Sequence, residues 1–178
     1  WPFIKKKIEN KEKIFWGCPL IEDSNKLDFS STARLFELLS KKFNNKVGII
    51  HGSLDQNEKE EVLKEFLNNK ISILVSTTVI EVGIDFPNAT VIIIENANKF
   101  GLAQLHQLRG RVGRGEKPAT CILMFKNQLS QNARQRIKIL KSSNDGFYIA
   151  EEDMRLRGYG DIIGFKQSGI KLFKIADP

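Results

Sequence analysis

Residues 104–115, QLHQLRGRVGRG, put three arginines and three glycines into twelve positions directly after an apolar, strand-like run. Arginine is permanently charged and offers a planar fork of donors suited to phosphate oxygens. On a helix, Arg111 and Arg114 are three apart and project from the same side. Gly110 and Gly113 each precede one of them, although a glycine weakens a helix by about 1 kcal/mol relative to alanine. Close approach of a phosphate or of a second surface would justify that cost. Gln104 and Gln107 share a helical face and add polar contacts, and His106 sits between them. The same spacing also suits a solvated basic helix end capped by Gly115. Its position after the loop ANKFGLA, where an α/β domain presents ligand contacts, weighs against that reading.

A second constellation, VSTTVIEVGIDFPNAT at 75–90, ends a β-run in Ser76, Thr77 and Thr78, whose hydroxyls and amides suit a phosphate at a strand's carboxyl end. Gly83 and Asp85 follow in a loop-like position before Pro87, where a carboxylate could accept hydrogen bonds from a ribose. Helix capping by the threonines and a turn at Asp85 fit the pattern as well. A third, HGSL, places His51 and Gly52 at another strand end, suited either to a nucleic-acid backbone or to a structural role. Two leads fail. Gly110 and Gly115 have the glycine spacing of an NTP-binding loop, but Glu116 and Lys117 stand where lysine and a hydroxyl are required. AEEDM at 150–154 resembles an acidic magnesium box yet lies in a helical pattern rather than at a strand end.

The elements around these residues alternate. Apolar runs at 14–20, 47–51, 71–77, 90–96 and 119–125 read as strands covered on both faces of a mostly parallel sheet. Between them, one helix aligns Leu35, Phe36, Leu39 and Phe43, and a second aligns Val62, Leu63, Phe66 and Leu67, with Ser53 and Gln56 spaced as a capping box. The pattern predicts a doubly wound α/β domain over residues 14–127, with ligands at the carboxyl ends of strands. Beyond 127 the texture changes to two helical patches, 130–141 and 148–156, and a Gly-punctuated basic tail. These read as a helical hairpin and an extended arm packed on the main domain. The division is therefore 1–127 and 128–178.

Composition narrows the partners. The 178 residues carry 28 Lys and Arg against 21 Asp and Glu, a net charge of +7, which favours a polyanion such as nucleic acid. Only Cys18 and Cys121 occur, far apart in apolar runs, so buried free thiols in a reducing compartment are expected rather than a disulfide or metal framework. No apolar stretch reaches the roughly 18 residues of a membrane span, and no signal-peptide pattern opens the chain, which predicts a cytoplasmic protein without membrane contact. The opening WPFIKKKIENKEK reads as a segment entered midway in a longer protein.

Taken together, VSTTVIEVGIDFPNA resembles motif V and QLHQLRGRVGRG resembles motif VI of the second RecA-like domain of superfamily 2 helicases. WGCPLIEDS resembles the motif IV region. NDGFYIAEEDMRLRGYGDIIGFKQSG resembles the translocation segment shared by the RecG branch and the transcription-repair coupling factor. SSNDGF and FKIADP are closer to the RecG branch. The resemblance implies a domain of an ATP-dependent helicase that translocates on branched duplex DNA and remodels stalled forks and Holliday junctions. An equivalent domain of the coupling factor and a non-catalytic nucleic-acid-binding module are the alternatives.

By the same resemblance, Arg114 is the arginine finger on the γ-phosphate and Arg111 its companion, a device worth about 10³–10⁵ in rate. Gln107 is the motif's glutamine, and Gly110 permits close domain approach. Gly83 and Asp85 lie toward the ribose or couple the two sites, and Thr77 contacts the DNA backbone. Phe147 is a hinge-packing residue, with Arg157 and Gln167 at polar positions of the translocation segment. ATP and Mg²⁺ are held mainly by the first motor domain, with none tightly bound by this part, so little ATPase activity is expected of it alone. The first RecA-like domain and a wedge domain of the same polypeptide are the implied partners. The chain departs from the family's LRGPGE, carrying LRGYGD, so Tyr159 replaces a proline that fixes φ and Asp161 shortens the reach of a glutamate.

Overall fold

The computed structural model describes residues 1–19, 25–77, 89–113, 118–125 and 129–157, and within 25–31 the backbone alone. Five strands are formed: β1 (Lys13–Gly17), β2 (Val47–Ile50), β3 (Ile73–Ser76), β4 (Ala89–Ile94) and β5 (Thr120–Leu123). They lie in the order β2-β3-β1-β4-β5, and every neighbouring pair is parallel. The result is an α/β, RecA-like sheet, with β1 in the middle as a doubly wound topology requires.

The consecutive apolar residues of each strand divide by alternation between two cores. Ile14, Trp16, Ile73, Val75, Val91 and Ile93 face one core, shared with Ile4 and Ile8 of α1 (Pro2–Glu9) and with Leu35, Phe36 and Leu39 of α2 (Asn25–Lys42). Phe15, Leu74, Ile92 and Ile94 face the other. That side is closed by α3 (Gln56–Leu67), α4 (Leu102–Arg109), α5 (Gln131–Ser142) and α6 (Gly146–Arg157). Each Ile or Leu removed fully from water in this way contributes about 1.5–3 kcal/mol. Gly48 in β2 is required by close packing, because a Cβ there would lie 2.8 Å from Ile71 Cδ1 and 2.9 Å from Val62 Cγ1.

Three local expectations are corrected. The capping box lies two residues later than the Ser53–Gln56 spacing implies: Asp55 Oδ1 accepts from the Glu58 amide at 2.8 Å, and Glu58 Oε2 accepts from the Asp55 amide at 2.9 Å. Ser53 instead belongs to a turn closed by Leu54 N–H on the His51 carbonyl. Leu67, assigned to the apolar face of α3, is 43% exposed because it ends the helix. Its carbonyl caps the buried Lys13, whose Nζ donates to it at 2.7 Å. The opening segment forms α1, entered through Pro2 and pinned where Glu12 accepts from the Thr90 hydroxyl and from Lys7 Nζ. Cys18 is buried, but Cys121, on the edge strand β5, is only partly so. Burial pushes the thiols up to about 12 and about 11 respectively, the nearby Arg109 charge opposing the shift at Cys121. Among the described residues, no helix is long and apolar enough to cross a membrane.

Candidate functional site

The arginine segment is not one continuous helix. α4 ends at Arg109, Gly110 caps it in a right-handed conformation, and the Arg111 amide turns back to the Leu108 carbonyl. Gly113 then takes φ +79°, a left-handed conformation that glycine adopts without strain. The Gly113 amide donates to the Ala89 carbonyl at 3.0 Å, and a Cβ on Gly113 would lie 2.3 Å from Ala119 Cβ. Ala89 opens β4 and Ala119 directly precedes β5. Arg111 therefore sits near the amino edge of the sheet, not at the carboxyl ends expected of it. A crossover helix following a parallel strand returns the chain to that edge, and eight residues cover about 12 Å of the way. Among the described residues, a Cβ on Gly110 would meet the Gln107 and His106 carbonyls at 3.5 and 3.6 Å, ordinary contact distances.

The carboxyl edge carries the other group. The Thr77 amide donates to the Ile50 carbonyl, which brings Thr77 beside His51 and Gly52 at the ends of β3 and β2. Gly52 is exposed and His51 half-buried. The chain leaves this edge at Thr77 and is back at the amino edge by Ala89, about 17 Å away along a strand the length of β4. The two sets of candidate residues thus lie at opposite rims of the sheet.

The helical hairpin binds α4 along its length. α6 runs antiparallel to α4: Gly146 lies against His106 Nε2, and Arg157 Nη2 lies where a Cβ on Gly101 would be 3.0 Å away. Arg157 also pairs with Asp153 Oδ2 at 2.9 Å and, with Arg136 and Asn132, lines a cleft of about 240 Å³. Arg136 of α5 donates to the Phe100 carbonyl at 2.6 Å and the Asn98 carbonyl at 3.3 Å, ahead of α4. In the opposite direction Arg109 of α4 donates to Leu140 and Ser143 carbonyls at the end of α5, at 2.6 and 2.9 Å, and to His106 Nδ1 at 2.9 Å. Partial burial, then the Arg109 charge, lowers the pKa of His106, and Asp145 opposes the shift.

Of the residues singled out by sequence, the structure places Gln107, Gly110 and Arg111 together at the end of α4, and His51, Gly52 and Thr77 together at the opposite rim. Gln104 serves the fold, its Oε1 accepting from the Gly101 amide at 2.8 Å. Phe147, expected to pack at a hinge, is 91% exposed at the start of α6, its amide held by Asp145 Oδ1. Arg114, Gly83, Asp85 and Gln167 lie outside the described residues, as do Tyr159 and Asp161. Sequence reasoning missed Arg109 and Arg136 as the ties between hairpin and main domain. For Arg109 a signal existed: it follows His106 by three positions, so both project from a side of α4 roughly opposite Gln104.

The helicase conserved C-terminal domain model matches residues 5–116, which include both rims and strands β1 to β4 but stop short of β5. The chain belongs to this helicase family. The model for domain 3, C-terminal, of ATP-dependent DNA helicase RecG matches residues 143–178 and favours RecG over the coupling factor. This helicase domain is 48% identical over 177 residues to ATP-dependent DNA helicase RecG of Bacillus subtilis, covering 98% of the chain and 26% of that relative. It is 44% identical to a solved RecG bound to a three-way DNA junction, with a TM-score of 0.75 over 98% of this chain and 22% of the other. The yeast DEAD-box splicing factor Prp28 shares the fold, with a TM-score of 0.62 at 22% identity, over 97% of this chain and 36% of Prp28. The chain spans about a quarter of the length of the RecG relatives it matches.

Proposed function

We propose that the chain is the second motor domain of an ATP-dependent branched-DNA helicase that remodels stalled forks and Holliday junctions. The supporting observation is the separation of Arg111, at the amino rim, from Thr77 and His51, at the carboxyl rim, in a domain of the helicase C-terminal family. In this reading Arg111 and Arg114 face ATP, the source of the phosphoryl group, which would be held with Mg²⁺ by the first RecA-like domain. The two guanidiniums stabilise charge on the γ-phosphate, where a finger is worth about 10³–10⁵ in rate. Gly110, where a Cβ would meet its described neighbours at ordinary contact distances, leaves room for the first domain to close on this rim. Gly83 and Asp85 stand in the segment joining the rims and contact the ribose or carry the signal between them. Thr77, His51 and Gly52 meet the DNA backbone, with a wedge domain of the same polypeptide at the junction. Arg157 and Gln167 couple closure to the translocation segment, and the Arg157 contact with the start of α4 gives that coupling a path.

The test is ATP hydrolysis by the full-length parent protein on forked duplex DNA, wild type against Arg114→Ala, with DNA affinity measured in parallel. The expected result is a fall in turnover of about a hundredfold or more with affinity nearly unchanged. Unchanged turnover with weaker, less salt-sensitive binding would leave a DNA-gripping module instead.

A further inference from the structure

α5 carries four cations, Arg134, Arg136, Lys138 and Lys141, and no carboxylate. Arg136 is turned inward onto the Phe100 and Asn98 carbonyls. Arg134, Lys138 and Lys141 are exposed, and among the described residues none of their side chains has an ion-pair or hydrogen-bond partner. α6 differs, because its Glu152 and Asp153 are matched by Arg155 and Arg157. The hairpin's unneutralised positive charge is thus concentrated on the outer side of α5.

That side is also concave. Gln131, Arg134, Gln135, Lys138 and Ser142 follow one another at helical spacing and, with Tyr148 of α6, line a groove of about 460 Å³ that no carboxylate among the described residues lines. Within the groove Arg134 and Lys138 stand four residues apart, about 6 Å along the helix axis. Phosphates recur every 3.4 Å of duplex axis along one strand, so this pair suits about two of them. Amide, hydroxyl and phenol groups between the cations are the usual neutral donors to phosphate and sugar oxygens. Neutral apolar partners are excluded by the charge, and an ordered carboxylate partner would have to supply a comparably regular anionic row.

We infer that the groove between α5 and Tyr148 grips the phosphate backbone of duplex DNA, with Arg134 and Lys138 as its principal contacts. The inference rests on the function proposed above and adds a DNA contact on the hairpin, away from the His51–Thr77 rim.

The experiment uses the full-length parent protein and a fluorescent forked duplex. Binding is measured against salt concentration for wild type, for Arg134→Gln with Lys138→Gln, and for a control with Lys6→Gln and Lys41→Gln on the other side of the sheet. All four positions are exposed, so the substitutions leave the cores intact. The expected result is a log–log salt slope smaller by about 1.8 for the α5 pair, two phosphate contacts at about 0.9 each, with the control unchanged. An unchanged slope for the α5 pair, or equal losses from both pairs, overturns the inference. If wild type hydrolyses ATP on forked DNA while the α5 slope is unchanged, the inference fails and the function proposal stands. A wild type with no DNA-dependent hydrolysis sinks both.

Discussion

The guanidinium of Arg109, at the last residue of α4, donates a 2.6 Å hydrogen bond to the carbonyl of Leu140 near the end of α5. It lies one residue before Gly110 and two before Arg111, so this side chain ties the arginine segment directly to the hairpin. A cation on the carbonyls ending a helix also meets the negative end of the helix dipole.

Replacing Arg109 by alanine removes charge-assisted hydrogen bonds to partly buried carbonyls, each worth about 1.5–3 kcal/mol. The expected outcome is loosening of the hairpin before the sheet. Amide hydrogen exchange in α5 and α6 should accelerate at least tenfold while β1 and β4 stay protected. Equal acceleration everywhere would show that the hairpin has no local stability of its own to lose.

Gly113 and Gly110 should respond oppositely to alanine. At Gly113 the left-handed φ and the 2.3 Å approach to Ala119 Cβ make Gly113→Ala destabilising by about 2 kcal/mol or more, read as a lower urea midpoint. At Gly110 the backbone is right-handed and the nearest atoms are at ordinary contact, so Gly110→Ala should shift the midpoint by less than about 0.5 kcal/mol. A fall in ATP turnover by the parent protein carrying Gly110→Ala would then report the interdomain cleft rather than the fold.

His106 gives the hairpin a pH dependence. Its Nδ1 accepts from Arg109, which requires that nitrogen to be unprotonated, and burial with the Arg109 charge lowers its pKa below the usual 6.5, against the pull of Asp145. A base with a depressed folded pKa contributes stability that is present above its unfolded pKa and is lost as pH falls through the folded value. Exchange protection of α6 should therefore hold above pH 6.5 and decline below it. His106→Gln should flatten that decline, and an identical acid profile in the variant would exclude His106 as its source.

Much of the architecture is legible in the chain. The five strand runs appear where consecutive apolar residues place them, because a strand covered on both faces needs no polar alternation, but β5, at the sheet edge, is only partly covered. The hairpin helices fall within a few residues of their expected bounds. α1 escaped notice because its apolar contacts, Ile4 and Ile8, are only two residues among many lysines. The capping box was displaced because Ser53 and Asp55 both offer N-cap chemistry, and only the turn at His51–Leu54 decides between them.

The residue types alone determined that this protein carries closely spaced arginines among glycines, a Thr-rich strand end and a parallel sheet to hold them, since those are matters of charge, side-chain geometry and local period. Only the tertiary structure decided that Arg111 and Thr77 stand at opposite rims, that Arg109 faces the hairpin and that Phe147 faces solvent. Those outcomes depend on where helices stop and which carbonyls lie across the fold, and such contacts join residues 24 to 36 positions apart, as at Gly113–Ala89 and Arg136–Phe100, beyond the reach of any local pattern.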